Sequence, residues 1–409
     1  PIPNPQSPIP NPQSPINKDK YFLKIIVMDE EKPFTYRLTS KAGGKVIISG
    51  EHSVVYGKPA IAFSIDKKTT MELKGYKSTS SSNEFAVLNL EDLKLKITIT
   101  KSELIYYLSN KIVLDYKNEN KYKSHLIHVI TIVCNKIIEY GIANIGIIKT
   151  YINNNFFDAK ITSEIPVGYG LGSSAAYNIC IINGICNLIN NLNGGGPFKD
   201  EEIIKLANEG EKIFHNGTPS GIDVSCSLKG GIIIFNNIKE QKNINISDNN
   251  FFKKKLNFLL INTNIKRNGG EFIKIVSDFK NNNSTIFQQT IFDIGKVTND
   301  IINLLSKENS DENDCNIFFE LIKKNQELLR KICVSNDRID EIINILEKNN
   351  FVGKISGAGG GGFIISFCLK ERFSDLIKLL NENNLGYMNI KLSKERAKIS
   401  DLNIGKLTF

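Results

Sequence analysis

The chain has 409 residues, of which 41% are hydrophobic and 23% are charged, and this composition is typical of an ordinary globular protein. The length exceeds what one hydrophobic core usually organises, so we expect two domains. No apolar run approaches the roughly 18–20 residues that span a bilayer, and the +9 net charge is scattered rather than clustered, which argues against membrane and nucleic-acid partners.

The seven cysteines do not indicate a disulfide framework or a structural zinc site. Their number is odd and no pair has the CxxC spacing, so a reducing, cytosolic location is expected. Residues 1–14 are two copies of Pro-Ile-Pro-Asn-Pro-Gln-Ser. Such a segment buries little apolar area, and we expect residues 1–20 to be a disordered tail.

The remaining chain divides into two predicted domains, residues 21–250 and 251–409. In the first, apolar patterns predict strands at 45–49, 60–65, 157–165 and 230–235 and helices over 121–140 and 173–192. In the second, they predict helices over 286–306, 337–348 and 371–383 and strands at 363–367 and 389–392. This order of elements favours an α+β fold.

A glycine-rich segment, Gly168 to Ala176, lies between the predicted strand 157–165 and the predicted helix 173–192. Free N–H groups at a helix start attract anions. The segment is not a Walker A motif, because no Gly-Lys-Ser/Thr follows, and its GxGxG spacing is not a Rossmann fingerprint. Ser173 and Ser174 would begin the helix, either as N-caps or as ligands of phosphate or magnesium.

A second glycine-rich loop, Gly357 to Gly362, precedes a predicted strand. A dinucleotide fingerprint would precede a helix instead. Consecutive glycines beside an apolar strand indicate close backbone approach to a ligand or to another loop, although a flexible turn is the simpler alternative.

Between these loops lies Pro219-Ser220-Gly221-Ile222-Asp223. Asp223 could accept the proton of an attacking hydroxyl group, with Lys45 neutralising charge on the phosphoryl group, and Glu211 could bind magnesium. Each residue also has a simpler interpretation: a turn aspartate, a lysine at a strand edge and a charge on a helix surface.

Four segments, taken together and in this order, resemble the motifs of the GHMP small-molecule kinases, and within that superfamily the mevalonate kinases. The segments are Lys45 to Gly57, Gly168 to Ala176, Pro219 to Asp223 and Gly357 to Gly362. The resemblance implies an N-terminal domain like the second domain of ribosomal protein S5 and a ferredoxin-like C-terminal domain. It also implies Mg²⁺-dependent transfer of the ATP γ-phosphate to the 5-hydroxyl of mevalonate.

The resemblance also implies residue roles. Asp223 matches the catalytic base and Lys45 its partner, and Ser174 and Glu211 match the magnesium ligands. The matching ATP contacts are Lys45, Ser163, Gly168, Tyr169, Gly170, Leu171, Gly172, Ser173, Ser174, Gly357, Ala358, Gly359 and Gly360. The matching acceptor contacts are Glu51, His52 and Tyr177. A homodimer is left open.

Some departures from the family pattern leave alternatives. Gly43 replaces the usual proline before Lys45, and one extra residue between His215 and Pro219 stretches the spacing from Glu211 to Asp223. Another GHMP kinase, such as a phosphomevalonate or homoserine kinase, is one alternative. A non-catalytic ligand sensor on the same fold is another, although both Lys45 and Asp223 are present.

Overall fold

A computed structural model describes residues 35–78, 81–110, 120–192, 196, 198–215, 219–237, 240–244, 255–266, 269–307 and 311–404. The predicted tail, residues 1–20, and the predicted domain boundary near residue 250 lie outside the described residues.

The first part of the chain forms a mixed sheet. Its strands are β1 (Thr35–Ser49), β2 (Ala60–Lys77), β3 (Glu84–Leu90), β4 (Leu95–Thr100), β5 (Asn155–Ser163), β6 (Ile232–Asn237) and β7 (Glu240–Ile244). Neighbouring strands are paired in the order β1-β2-β5-β3-β4. Strand β6 pairs with both β2 and β7. All described pairs are antiparallel except β3 with β5. All four strands predicted here are present. Those at 45–49 and 60–65 lie within longer strands, and those predicted at 157–165 and 230–235 are each displaced by two residues from β5 and β6.

Helices pack against this sheet or against one another: α1 (Lys101–Asn110), α2 (Lys121–Glu139), α3 (Ile145–Asn154), α4 (Ser173–Leu192), α5 (Asp200–His215) and α6 (Ile222–Lys229). Helix α4 begins with small residues, and Ala175 and Ala176 are fully buried. Small side chains let the start of α4 approach the sheet closely. The glycine-rich segment therefore lies at a strand-to-helix junction, as predicted.

The second part holds β8 (Leu256–Asn262), α7 (Gly269–Asn282), α8 (Ser284–Leu305), α9 (Glu312–Lys331), α10 (Asp337–Lys348), β9 (Val352–Ile355), β10 (Phe363–Leu369), α11 (Phe373–Glu382) and β11 (Tyr387–Asn389). The antiparallel order is β11-β8-β10-β9. This is the order of a ferredoxin-like βαββαβ unit with extra helices after its first strand. Short 3-10 turns occur at Ser53–Tyr56, Glu91–Leu93 and Lys370–Arg372.

One strand of the predicted C-terminal domain pairs with the first sheet. The last described strand, β12 (Lys398–Ile404), was included in the C-terminal domain, residues 251–409, but it pairs antiparallel with β1 in the first sheet. The preceding segment also contacts that part of the molecule, since Ser393 exchanges backbone hydrogen bonds with Ser64 and Gly231. A strand edge needs a hydrogen-bonding partner, and no local pattern in the sequence reveals a partner so distant.

No helix of the described residues is long and apolar enough to cross a membrane.

Candidate active site

Asp223 and Lys45 form an ion pair, with Lys45 Nζ 3.1 Å from Asp223 Oδ1. Gly221, at a φ of 78°, precedes helix α6 and sets its start, so that Asp223 falls in the first turn. Carboxylates are stabilised there by the helix dipole. The Lys45 side chain is 3% exposed and that of Asp223 is 23% exposed, so the carboxylate retains access to a ligand.

The backbone of Lys45 is joined to the first glycine loop. Its N–H donates to the carbonyl oxygen of Leu171 at 2.9 Å. A Cβ atom on Gly172, which has a φ of 76°, would lie 2.9 Å from Lys45 Cγ. Glycine at this position therefore leaves room for the lysine stem, and the loop and the ion pair form one unit.

Ser174 and Glu211 also come together. Ser174 lies in the first turn of α4, and its Oγ donates to Glu211 Oε2 at 3.2 Å. Glu211, on α5, is buried. Glu211 therefore lies beside Ser174 despite the extra residue that separates it from Asp223 in the sequence. A hydroxyl and a carboxylate oxygen are ligands that suit Mg²⁺ when phosphates and water complete its shell.

The two glycine loops touch each other. Gly362 has a φ of 78°, and a Cβ atom there would lie 2.4 Å from the carbonyl oxygen of Tyr169. The rings of Tyr169 and Phe363 have centroids 5.5 Å apart. The close backbone approach predicted for the second loop is thus an approach to the first.

Glu51 and His52 contact the second glycine loop and the strand before it. His52 Nε2 lies 3.0 Å from the carbonyl oxygen of Ala358, and His52 adopts a φ of 59°, which a non-glycine residue rarely adopts without a structural reason. The Glu51 carboxylate forms an ion pair with Lys354. Both side chains are almost fully buried, at 1% and 0% exposure.

Sequence reasoning missed Lys354. Its Nζ also donates to the carbonyl oxygen of Ile355 at 2.6 Å, and burial lowers the pKa of Lys354 while Glu51 opposes that shift. The available signal was a lysine inside the apolar stretch Val352–Ile355, because a buried lysine requires a partner. Lys266 was missed as well; its stem lies against Gly168.

Two residues predicted to bind ligands, Tyr177 and Ser163, contact other side chains of the fold. Tyr177 packs its ring against Tyr122, His125 and Phe214, and burial strongly raises its pKa. Burial also lowers the pKa of His125 to about 3, so this cluster is uncharged. Ser163 Oγ lies 2.8 Å from Thr69 Oγ1 on β2. The structure does not bring either residue to the Lys45–Asp223 pair by a described contact.

Comparisons with known proteins agree with this architecture. The model of the GHMP kinases N terminal domain matches residues 133–231, and that of the GHMP kinases C terminal domain matches residues 301–388. The chain belongs to the GHMP kinase family. The expected two-domain fold of this family is thereby confirmed.

Several similar proteins are mevalonate kinases. The chain is 29% identical over 352 residues to the mevalonate kinase of Methanocaldococcus jannaschii, covering 85% of this chain and 97% of that protein. It is 29% identical over 351 residues to the mevalonate kinase of Arabidopsis thaliana, covering 80% and 89%. The solved structure of the Methanococcus jannaschii mevalonate kinase matches with a TM-score of 0.66 at 27% identity, covering 87% and 98% of the two chains.

Proposed function

We propose that this GHMP kinase transfers the γ-phosphate of ATP to the 5-hydroxyl of mevalonate. One observation carries the proposal: the Lys45–Asp223 ion pair, with 3.1 Å between its charged atoms, lies beside two glycine loops that are in contact. The names of the relatives supply the substrate.

In this reaction the Asp223 carboxylate accepts the proton of the 5-hydroxyl group. The hydroxyl oxygen forms a bond to the γ-phosphorus, and the bond from that phosphorus to the β–γ bridging oxygen breaks. ADP leaves with the electron pair, and the proton on Asp223 passes to solvent. Phosphoryl transfer depends chiefly on positioning and on charge neutralisation, and a carboxylate in the first turn of α6 is fixed in direction.

Lys45 contributes a positive charge that faces the same space. Its stem is buried against Gly172 and its ammonium group is held by Asp223. It therefore orients the carboxylate and stabilises negative charge that develops on the transferred phosphoryl group.

The phosphates of ATP would lie on the first glycine loop, where α4 begins, with the second loop closing over them. Ser174 Oγ and Glu211 Oε2 would hold Mg²⁺, because they supply two oxygen ligands 3.2 Å apart. The ion neutralises phosphate charge when bound. The further ATP contacts proposed at Ser163, Ala358, Gly359 and Gly360 rest on the family resemblance.

The acceptor would bind near His52 and Glu51, whose backbone follows the β1 strand that carries Lys45. Glu51 Oε2 is buried and makes no hydrogen bond with a described residue, so it can accept one from a substrate hydroxyl group. Tyr177 has weaker support as an acceptor contact. A cytosolic location and a homodimer also remain predictions.

An assay of ADP release across mevalonate, phosphomevalonate, homoserine and galactose tests the substrate. We expect turnover with mevalonate to exceed that with each other acceptor by orders of magnitude in kcat/KM. If a different acceptor were turned over preferentially, that acceptor and not mevalonate would be the substrate. ATP hydrolysis without any acceptor preference would contradict the proposal.

A further inference from the structure

The segment that follows β8, residues 263–266, connects the two glycine loops. The Thr263 N–H and Oγ1 both donate to the carbonyl oxygen of Gly362, at 3.1 and 2.8 Å. The Gly362 N–H in turn donates to the carbonyl oxygen of Ile265 at 2.8 Å. Three hydrogen bonds therefore fix this segment to the second loop.

Lys266 extends from this segment to the first loop. A Cβ atom on Gly168 would lie 3.1 Å from Lys266 Cε, 3.6 Å from Cγ and 4.0 Å from Cδ. The lysine stem thus runs along the α-carbon of Gly168, and its ammonium group lies one bond beyond Cε. The side chain is exposed and forms no ion pair with any residue in the described ranges.

The glycine loops themselves carry no positive side chain, so a lysine beside them matters for binding a polyanion. The glycine loops, residues 168–174 and 357–362, contain no lysine, arginine or histidine, and Lys45 is already paired with Asp223. A nucleoside triphosphate brings several negative charges to these loops. Backbone N–H groups and one divalent cation neutralise part of that charge. An exposed ammonium group beside the loop stabilises the phosphate charge that is left.

We propose that Lys266 binds the phosphates of the nucleoside triphosphate, closing the first glycine loop from the C-terminal half of the molecule. This inference rests on the proposed ATP-dependent function and adds a residue to it. The ligand class is a nucleoside polyphosphate, and the contact is an ammonium group donating to phosphate oxygen.

Binding of ATP, ADP and AMP to the full chain, without acceptor, tests the inference. Lys266→Met is expected to weaken ATP about tenfold, the loss typical of one charged hydrogen bond, and to leave AMP within about twofold. Lys266→Arg should retain most of the ATP affinity. Because the group is exposed, added salt should weaken ATP binding to the wild type more steeply than to Lys266→Met.

Lys378→Met is the matched control, since Lys378 is an exposed lysine on α11 whose only described ion pair is with Glu382; it should bind all three nucleotides as the wild type does. Equal ATP affinity of Lys266→Met and wild type, or an equal loss of affinity for ATP and AMP, would overturn the role of Lys266 and leave the proposed function intact. A raised KM for the acceptor with unchanged ATP affinity would overturn it too. Failure of the wild type to bind ATP would overturn the proposed function itself.

Discussion

At the scale of single residues, the site depends on charges whose partners are fixed by the fold. Lys45 and Asp223 are 178 positions apart in the chain by their residue numbers, yet their charged atoms are 3.1 Å apart. Their identities could be predicted because glycine-rich motifs surround them. The pairing itself required the structure.

Lys45→Met is expected to lower kcat by about 10²–10³-fold, because a positive charge directed at the developing phosphoryl charge is lost. Steady-state kinetics with saturating ATP measures it. Lys160→Met is the matched control: Lys160 is also a strand lysine in an ion pair, with Glu91 at 3.5 Å, but it is exposed. A Lys45→Met enzyme as active as the Lys160→Met enzyme would show that Lys45 has no role in the reaction.

Gly362→Ala should impair ATP binding and turnover. Its Cβ atom would lie 2.4 Å from the Tyr169 carbonyl oxygen, so the two loops must separate. Gly57→Ala is the control for backbone strain, because Gly57 has a φ of 75°, close to the 78° of Gly362. An added carbon at Gly57 would have nothing within 4 Å, so this variant introduces the strain without a clash. We expect a much larger rise in KM for ATP in Gly362→Ala than in Gly57→Ala. Equal effects in the two variants would show that the contact between the loops does not matter for ATP binding.

At the scale of helices and strands, one helix start supports the second glycine loop. The Asn336 side chain caps α10 by accepting from the Ile339 N–H at 3.0 Å, and its Nδ2 donates to the carbonyl oxygen of Gly360 at 3.1 Å. Asp311 caps α9 by accepting from the Asp314 N–H at 2.8 Å. Both side chains cap their helices in the same way, but only Asn336 also bonds the second glycine loop.

Asn336→Ala and Asp311→Ala should each lower the free energy of unfolding by about 1 kcal/mol, the usual cost of losing an N-cap. Only Asn336→Ala should also raise KM for ATP, because it alone releases the Gly360 carbonyl group. Urea unfolding and steady-state kinetics on both variants measure the two effects. An equal change in KM for the two variants would mean that the Asn336–Gly360 bond does not position the loop.

At the scale of the whole molecule, contacts between residues far apart in sequence join the two sheets. The Glu51–Lys354 ion pair spans 303 positions, and Ser49 Oγ lies 2.7 Å from Thr298 Oγ1. The strand β12 returns from the C-terminal part to pair with β1. The two parts of the molecule are therefore joined at several points.

Removing either member of the buried Glu51–Lys354 pair leaves the other charge without compensation. Glu51→Gln or Lys354→Met should each cost about 3–5 kcal/mol of unfolding free energy, and the double variant should cost clearly less than the sum. Denaturant unfolding of the four proteins gives the coupling energy. Strict additivity would show that the two side chains do not interact in solution.

Much of the architecture could be predicted from local patterns, because periodic apolar residues report which face of a helix or strand is buried. The helix 173–192 was predicted with both ends correct, and 337–348 likewise. Helix α9 was missed although its capping box, Asp311 with Asp314, is readable in the sequence. The β12 pairing, the Lys354 partner and the reach of Lys266 were not predictable, because each depends on a contact between distant segments.

Single-turnover phosphorylation of mevalonate by Asp223→Asn, compared with ATP binding to the same protein, tests whether Asp223 is the catalytic base. We expect ATP affinity to stay close to that of the wild type while the rate of phosphoryl transfer falls by about 10²–10⁴-fold, the usual contribution of a general base. Asp375→Asn, which alters another aspartate in the first turn of a helix beside an arginine, should transfer phosphate at the wild-type rate. Transfer by Asp223→Asn at a rate near that of Asp375→Asn would contradict the assignment of Asp223 as the base.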